Sequence, residues 1–195
     1  MNLAVFISGR GSNFLSLLNA EKSGNLGSAT IKVLISNKEN ALGINYAKEN
    51  NIPVVIVSGQ DWENDVISAM KEYKINLICL AGFMRIVSSK LINSMKGWII
   101  NIHPSLLPAF PGLNVHKRVL DSGFPYSGCT VHWVDEGVDT GPIIEQSVVP
   151  VLKDDDESLL SSRILKEEHR LYPSVIRRIS DGCFSPKFTE GNSNE

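Results

Sequence analysis

With 195 residues, the chain is long enough for one domain that buries most of its apolar surface. A formal net charge of -2 with 21% charged residues supplies no basic stripe for nucleic acid, and no apolar run reaches membrane-spanning length. Cys79, Cys129 and Cys183 include no Cys-x-x-Cys pair, which argues against a zinc motif or disulfide framework and fits a reducing cytoplasm.

Residues 3–7 are an apolar run of strand length, too short and too uncharged at its start for a signal peptide. Ser8-Gly9-Arg10-Gly11-Ser12-Asn13 breaks the run, and a helix opens at Phe14. A turn-rich gap over 23–28 leads to a second strand at 31–35 and a helix over 41–50. The third strand is predicted at 54–57 and a helix over 61–73, with Val66, Ile67 and Met70 on one face. A fourth strand at 77–80 ends in the loop Ala81-Gly82-Phe83-Met84-Arg85-Ile86. A short helix over 89–94 and a fifth strand at 98–100 follow. This alternation predicts an α/β, Rossmann-like fold: an open, mostly parallel sheet with helices on both faces.

After a helix at 115–122, the runs 128–134 and 141–149 read as strands with no helix between them, so an antiparallel edge is expected towards the C-terminal part. Their polar connection, 135–140, should lie beside a pocket. The acidic run 153–157 caps a final helix, where negative charge suits the dipole. One domain over 1–183 is expected, with a flexible polar tail over 184–195.

Asn101-Ile102-His103 directly follows the fifth apolar run. The amide and imidazole therefore sit at the strand's carboxyl end and, two residues apart, point the same way. Pro104 and Pro108 keep the next segment out of a helix, leaving a loop at the strand's mouth, where open parallel sheets bind ligands. An imidazole oriented by a carboxylate serves as general acid or base, and Asp139 is the candidate orienter. Asn101 can donate to an oxyanion. His116, His132 and His169 read as packing or surface residues. No serine or cysteine is clearly placed as a nucleophile, with Ser105 left open, so the nucleophile is expected on a substrate. No His-Glu-x-x-His or comparable cluster points to a metal.

Gly9-Arg10-Gly11-Ser12-Asn13 lies between a strand and a helix, where free N–H groups and the helix dipole attract an anion. It is not a P-loop. Nor is it a dinucleotide fingerprint, since Phe14 takes the third glycine position and Ser36-Asn37 ends the second strand without an acidic ribose partner. Two readings stay open: a phosphate site unconnected with NAD, or a turn that merely closes the strand–helix connection.

Four segments, Ile7-Ser8-Gly9-Arg10-Gly11-Ser12-Asn13, Ala81-Gly82-Phe83-Met84-Arg85-Ile86, Asn101-Ile102-His103-Pro104-Ser105-Leu106-Leu107-Pro108 with Pro111-Gly112, and Asp139-Thr140-Gly141-Pro142, carry a family resemblance. In this order they make the chain resemble the phosphoribosylglycinamide formyltransferases, folate-dependent enzymes of purine synthesis. The resemblance implies that Asn101, His103 and Asp139 form the catalytic trio. It implies that Gly11, Ser12 and Asn13 bind the phosphate of glycinamide ribonucleotide and that Glu168 contacts its ribose or glycinamide part. It also implies that Met84, Arg85, Ile86, Val87 and Asn101 border the co-substrate 10-formyltetrahydrofolate. A cytoplasmic monomer or homodimer acting on small molecules, with no metal, no nucleic acid and no membrane, is the corresponding expectation.

The family often has a basic residue after the third strand to meet the folate's glutamate tail. Ser58-Gly59-Gln60-Asp61-Trp62 has none, which leaves Arg85 as the candidate cation. Formyltetrahydrofolate deformylase and methionyl-tRNA formyltransferase share the Asn-x-His and Asp elements. The first usually carries an extra N-terminal domain and the second an extra C-terminal one. A nucleotide-binding regulatory module on the same sheet is the reading from another class, and it leaves the trio unexplained.

Overall fold

Leu3, Val5 and Ile7 face one side of a sheet and Ala4 and Phe6 the other, and all five are fully buried. Both faces of this strand are therefore covered, which is why it reads as an unbroken apolar run. In the computed structural model, which describes residues 1–187, it is β1 (Asn2–Ile7), an interior strand of a seven-stranded sheet. The others are β2 (Thr30–Ser36), β3 (Val54–Ile56), β4 (Leu77–Leu80), β5 (Ile99–His103), β6 (Tyr126–Trp133) and β7 (Ile143–Pro150), in the order β3-β2-β1-β4-β5-β6-β7. Pairings from β3 to β5 are parallel, and β5-β6 and β6-β7 are antiparallel. This is the Rossmann-like sheet with an antiparallel edge that the alternation predicts. Of the polar tail expected over 184–195, residues 188–195 lie outside the described residues.

The helices are α1 (Ser12–Lys22), α2 (Gly43–Glu49), α3 (Trp62–Glu72), α4 (Ser89–Ser94), α5 (Val115–Ser122) and α6 (Glu157–Ser180). Phe14, Leu17, Ile44, Val119, Leu160 and Tyr172 build the core on the side of α1, α2, α5 and α6. Val66, Met70 and Leu91 of α3 and α4 build the other. Each such fully buried side chain contributes about 1.5–3 kcal/mol relative to exposure. Asp156 starts α6 by accepting the Leu159 N–H at 2.8 Å. Pro173 lies inside that helix and lacks the N–H that the His169 carbonyl would otherwise receive. Ser16 of α1 donates to that carbonyl instead, at 2.9 Å, and joins the two helices.

Most boundaries shift by one or two residues from the sequence-based expectation, and two of the shifts bear on the site. The fifth strand, predicted at 98–100, continues through Asn101 to His103, because β6 pairs with it: Asn101 lies opposite His132 and His103 opposite Thr130. The first helix begins at Ser12 rather than Phe14, since Gly11 turns the chain in the left-handed region at φ 73°. The chain lays β2 and β3 on one side of β1 and then crosses back to place β4 on the other. The strand order thus reverses between β1 and β4, and the crevice at their carboxyl ends is where an open α/β sheet takes a ligand.

Candidate active site

Asp139 gathers the site. Its Oδ2 lies 3.2 Å from His103 Nδ1 and accepts the Gly112 N–H at 2.8 Å. Its Oδ1 accepts from Asn101 Nδ2 at 3.3 Å and stands 3.6 Å from His132 Nε2. The polar connection between β6 and β7 therefore reaches the end of β5. Asp135 shapes that connection by accepting from Gly137 N at 3.1 Å and Thr140 Oγ1 at 2.7 Å. Asp139 itself sits at φ 57°, a left-handed conformation that a non-glycine residue keeps only where its surroundings impose it.

Both ring nitrogens of His103 face acceptors, Asp139 on one side and the Phe110 carbonyl, 3.0 Å from Nε2, on the other. Burial pushes the ring's pKa below its ordinary value, and the Phe110 carbonyl and the Asp139 charge recover part of that shift. Burial works to raise the Asp139 carboxyl. The contact with His132, the Gly112 N–H and the neighbouring imidazoles outweigh it and hold the carboxyl below the usual range. Ser105, left open as a nucleophile, is fully buried and donates its hydroxyl to the Ala109 carbonyl at 2.6 Å. It is a loop fastener.

His132 is the residue that sequence reasoning assigned to packing and the structure brings into the site. Its Nδ1–H donates to the Trp133 carbonyl at 2.8 Å, so in the neutral ring Nε2 accepts from Asn101 Nδ2, 3.2 Å away. The available signal was alternation, since Thr130 and His132 share a face of β6. Only the β5-β6 register turned that face to Asn101. Thr130 fixes the segment after His103, donating to Ser105 O at 2.6 Å while accepting from Leu107 N at 3.1 Å.

The loops after β1 and β4 flank the crevice and are tied together, with Met84 N donating to Ser8 Oγ at 2.7 Å and that hydroxyl donating to Asn37 at 2.6 Å. Gly11 and Ser12 stand at the start of α1, where backbone N–H groups are free of helical partners. A Cβ on Gly11 would lie 2.7 Å from Gly43 Cα, so packing as well as turn geometry requires glycine there. Asn13 points its side chain inward, where Nδ2 donates to Glu168 Oε2 at 2.7 Å. Glu168 is 7% exposed, and burial raises its pKa against the effect of that hydrogen bond. Met84 and Ile86 stand exposed at the rim and Arg85 lies across Trp62, whereas Val87 turns its side chain into the core. The Val87 side chain is therefore not free to line a crevice. Among the described residues no cluster of His, Cys, Asp and Glu is arranged to hold a metal ion.

The formyl transferase family model matches residues 1–176. The trifunctional purine biosynthetic protein adenosine-3 of Drosophila melanogaster is 44% identical over 187 residues, which is 92% of this chain and 14% of that protein. The chain thus spans a small part of such multifunctional relatives. The chloroplastic phosphoribosylglycinamide formyltransferase of Vigna unguiculata is 41% identical over 190 residues, covering 92% of this chain and 61% of that one. The crystal structure of glycinamide ribonucleotide transformylase 1 from Symbiobacterium toebii superposes with a TM-score of 0.92 at 37% identity, covering 96% of this chain and 91% of the other. A family match of this extent, on a fold of the same topology, means that the chain belongs to the formyl transferase family, among its phosphoribosylglycinamide formyltransferases.

Proposed function

We propose that the protein transfers the formyl group of 10-formyltetrahydrofolate to the amine of 5-phosphoribosylglycinamide, giving formylglycinamide ribonucleotide and tetrahydrofolate in purine biosynthesis. The observation that carries this is the convergence of Asn101 and His103 on Asp139 at the end of β5. A neutral amine attacks the formyl carbon and the carbonyl electron pair moves to oxygen. Asn101 and protonated His103 donate to that oxyanion, and Asp139 holds the imidazolium. Collapse breaks the bond to the folate nitrogen, which receives the proton lost by the amine through water. The protein's share is positioning and charge stabilisation, with no covalent enzyme intermediate.

At rest the donors are engaged internally, Asn101 with Asp139 and His132 and His103 with Phe110. Binding of the formyl donor exchanges one Asn101 bond and the His103–Phe110 bond for the formyl oxygen. The start of α1, with Gly11, Ser12 and Asn13, receives the ribonucleotide phosphate. Glu168 meets the sugar. Met84, Ile86 and the backbone at Val87 line the folate, and Arg85 offers the cation for its glutamate tail. The same reading makes the protein a cytoplasmic monomer or homodimer, with three free thiols suited to a reducing compartment.

The test is absorbance-monitored release of tetrahydrofolate from 10-formyltetrahydrofolate, with and without glycinamide ribonucleotide. Turnover that requires the ribonucleotide is the expected result. Turnover without it assigns hydrolysis instead, and none in either case overturns the proposal.

A further inference from the structure

The loops after β3 and β4 meet along an edge of the crevice away from the trio. Arg85 Nη2 donates to the Gly59 carbonyl at 2.7 Å, and the guanidinium carbon lies 5.1 Å from the centroid of the Trp62 ring. Ser88 gives its N–H, at 2.8 Å, and its hydroxyl to the Glu63 carboxylate. On the inner side Phe83 packs on Trp62 with centroids 5.5 Å apart and edge-on against Phe6 at 5.2 Å. Between these anchors Met84 and Ile86 stay 60% and 75% exposed.

Two adjacent apolar side chains in water are unfavourable, and a loosely held loop would fold them inward. Here the backbone between them is fixed at Phe83, Arg85 and Ser88, so they form a standing apolar ledge with a cation beside it. We propose that Trp62 and Glu63, at the start of α3, are positioning residues for the formyl donor: Trp62 acts through Arg85 and Glu63 through Ser88. The ledge is thereby set before the folate arrives, and the ordering that binding would otherwise require is avoided. This rests on the assignment of residues 84–87 to the folate rim.

Trp62→Leu and Glu63→Ala should each raise the KM for 10-formyltetrahydrofolate and the calorimetric Kd of tetrahydrofolate by about tenfold, with kcat and the ribonucleotide KM changed less than about twofold. Trp62→Phe, which keeps a ring face, should restore most of the affinity. Trp62 is itself a buried core residue, so Glu63→Ala, outside the core, keeps the test independent of folding. Combined with Arg85→Ala, Trp62→Leu should add clearly less than its own roughly tenfold effect, because the shared Trp62–Arg85 contact is already lost and only the packing on Phe83 remains to be removed. Unchanged donor affinity in Glu63→Ala, or multiplying effects of Trp62→Leu and Arg85→Ala, overturns the proposal. If Arg85→Ala and Ile86→Ala themselves leave donor affinity intact, it is the assignment of the folate rim that fails.

Discussion

His103 Nδ1 and Asp139 Oδ2 stand 3.2 Å apart, while the opposite ring nitrogen faces a carbonyl. Only the imidazolium satisfies both neighbours with N–H donors, yet burial favours the neutral ring. The Asp139 charge is one of the influences that oppose burial and favour the protonated ring.

Asp139→Asn therefore removes an influence that raises the His103 pKa. With burial less opposed, the ring loses its proton at lower pH, and the alkaline limb of the kcat profile should move to lower pH. The accompanying loss in kcat should be about 10²–10³-fold, the usual scale for removing an oxyanion-stabilising element. A pH–rate profile checks both, and an unmoved alkaline limb would break the pairing of these two residues in catalysis.

His132→Ala leaves one Asn101 amide hydrogen without its acceptor. The side chain remains tied to Asp139 but gains freedom to rotate, so kcat should fall roughly tenfold while the ribonucleotide KM stays near normal. Steady-state kinetics on both substrates would show it, and a change confined to KM would place His132 in binding instead.

Glu168 bears on stability as well as on the proposed ribonucleotide contact. Its pKa is raised by burial in the fold, so its favourable contribution is complete below the ordinary carboxyl pKa and is lost as pH rises through the higher folded value. Glu168→Gln keeps an oxygen for the Asn13 amide and removes the buried charge. Its melting temperature should exceed that of the unaltered protein at pH 8, and the difference should shrink towards pH 4. Parallel melting curves across that range would refute the assignment.

Gly11→Ala combines a left-handed backbone, unfavourable for any Cβ by about 1–2 kcal/mol, with a clash against Gly43. A loss of roughly 2–4 kcal/mol in urea unfolding is expected once overpacking is included. Because Gly11 also shapes the start of α1, ribonucleotide affinity should weaken in the fraction that remains folded. A loss below about 1 kcal/mol would mean that the α1–α2 approach can relax.

Periodicity alone determined most of the elements. Five apolar runs separated by amphipathic segments specify a parallel α/β sheet because a strand buried on both faces has no room for polar residues, as β1 shows. The segment Asn101-Ile102-His103 was legible as a site because side chains two apart on a strand must share a side. Chain order did not determine that β4 lies beside β1, which opens the crevice between their ends. It did not reveal that His132 faces Asn101, that Asn13 is spent on Glu168, or that Val87 turns inward. Those are contacts between residues 31 or more apart in the chain, or choices of which face meets a core. Local propensity acts over a few residues, whereas strand pairing and packing decide which distant side chains share a space.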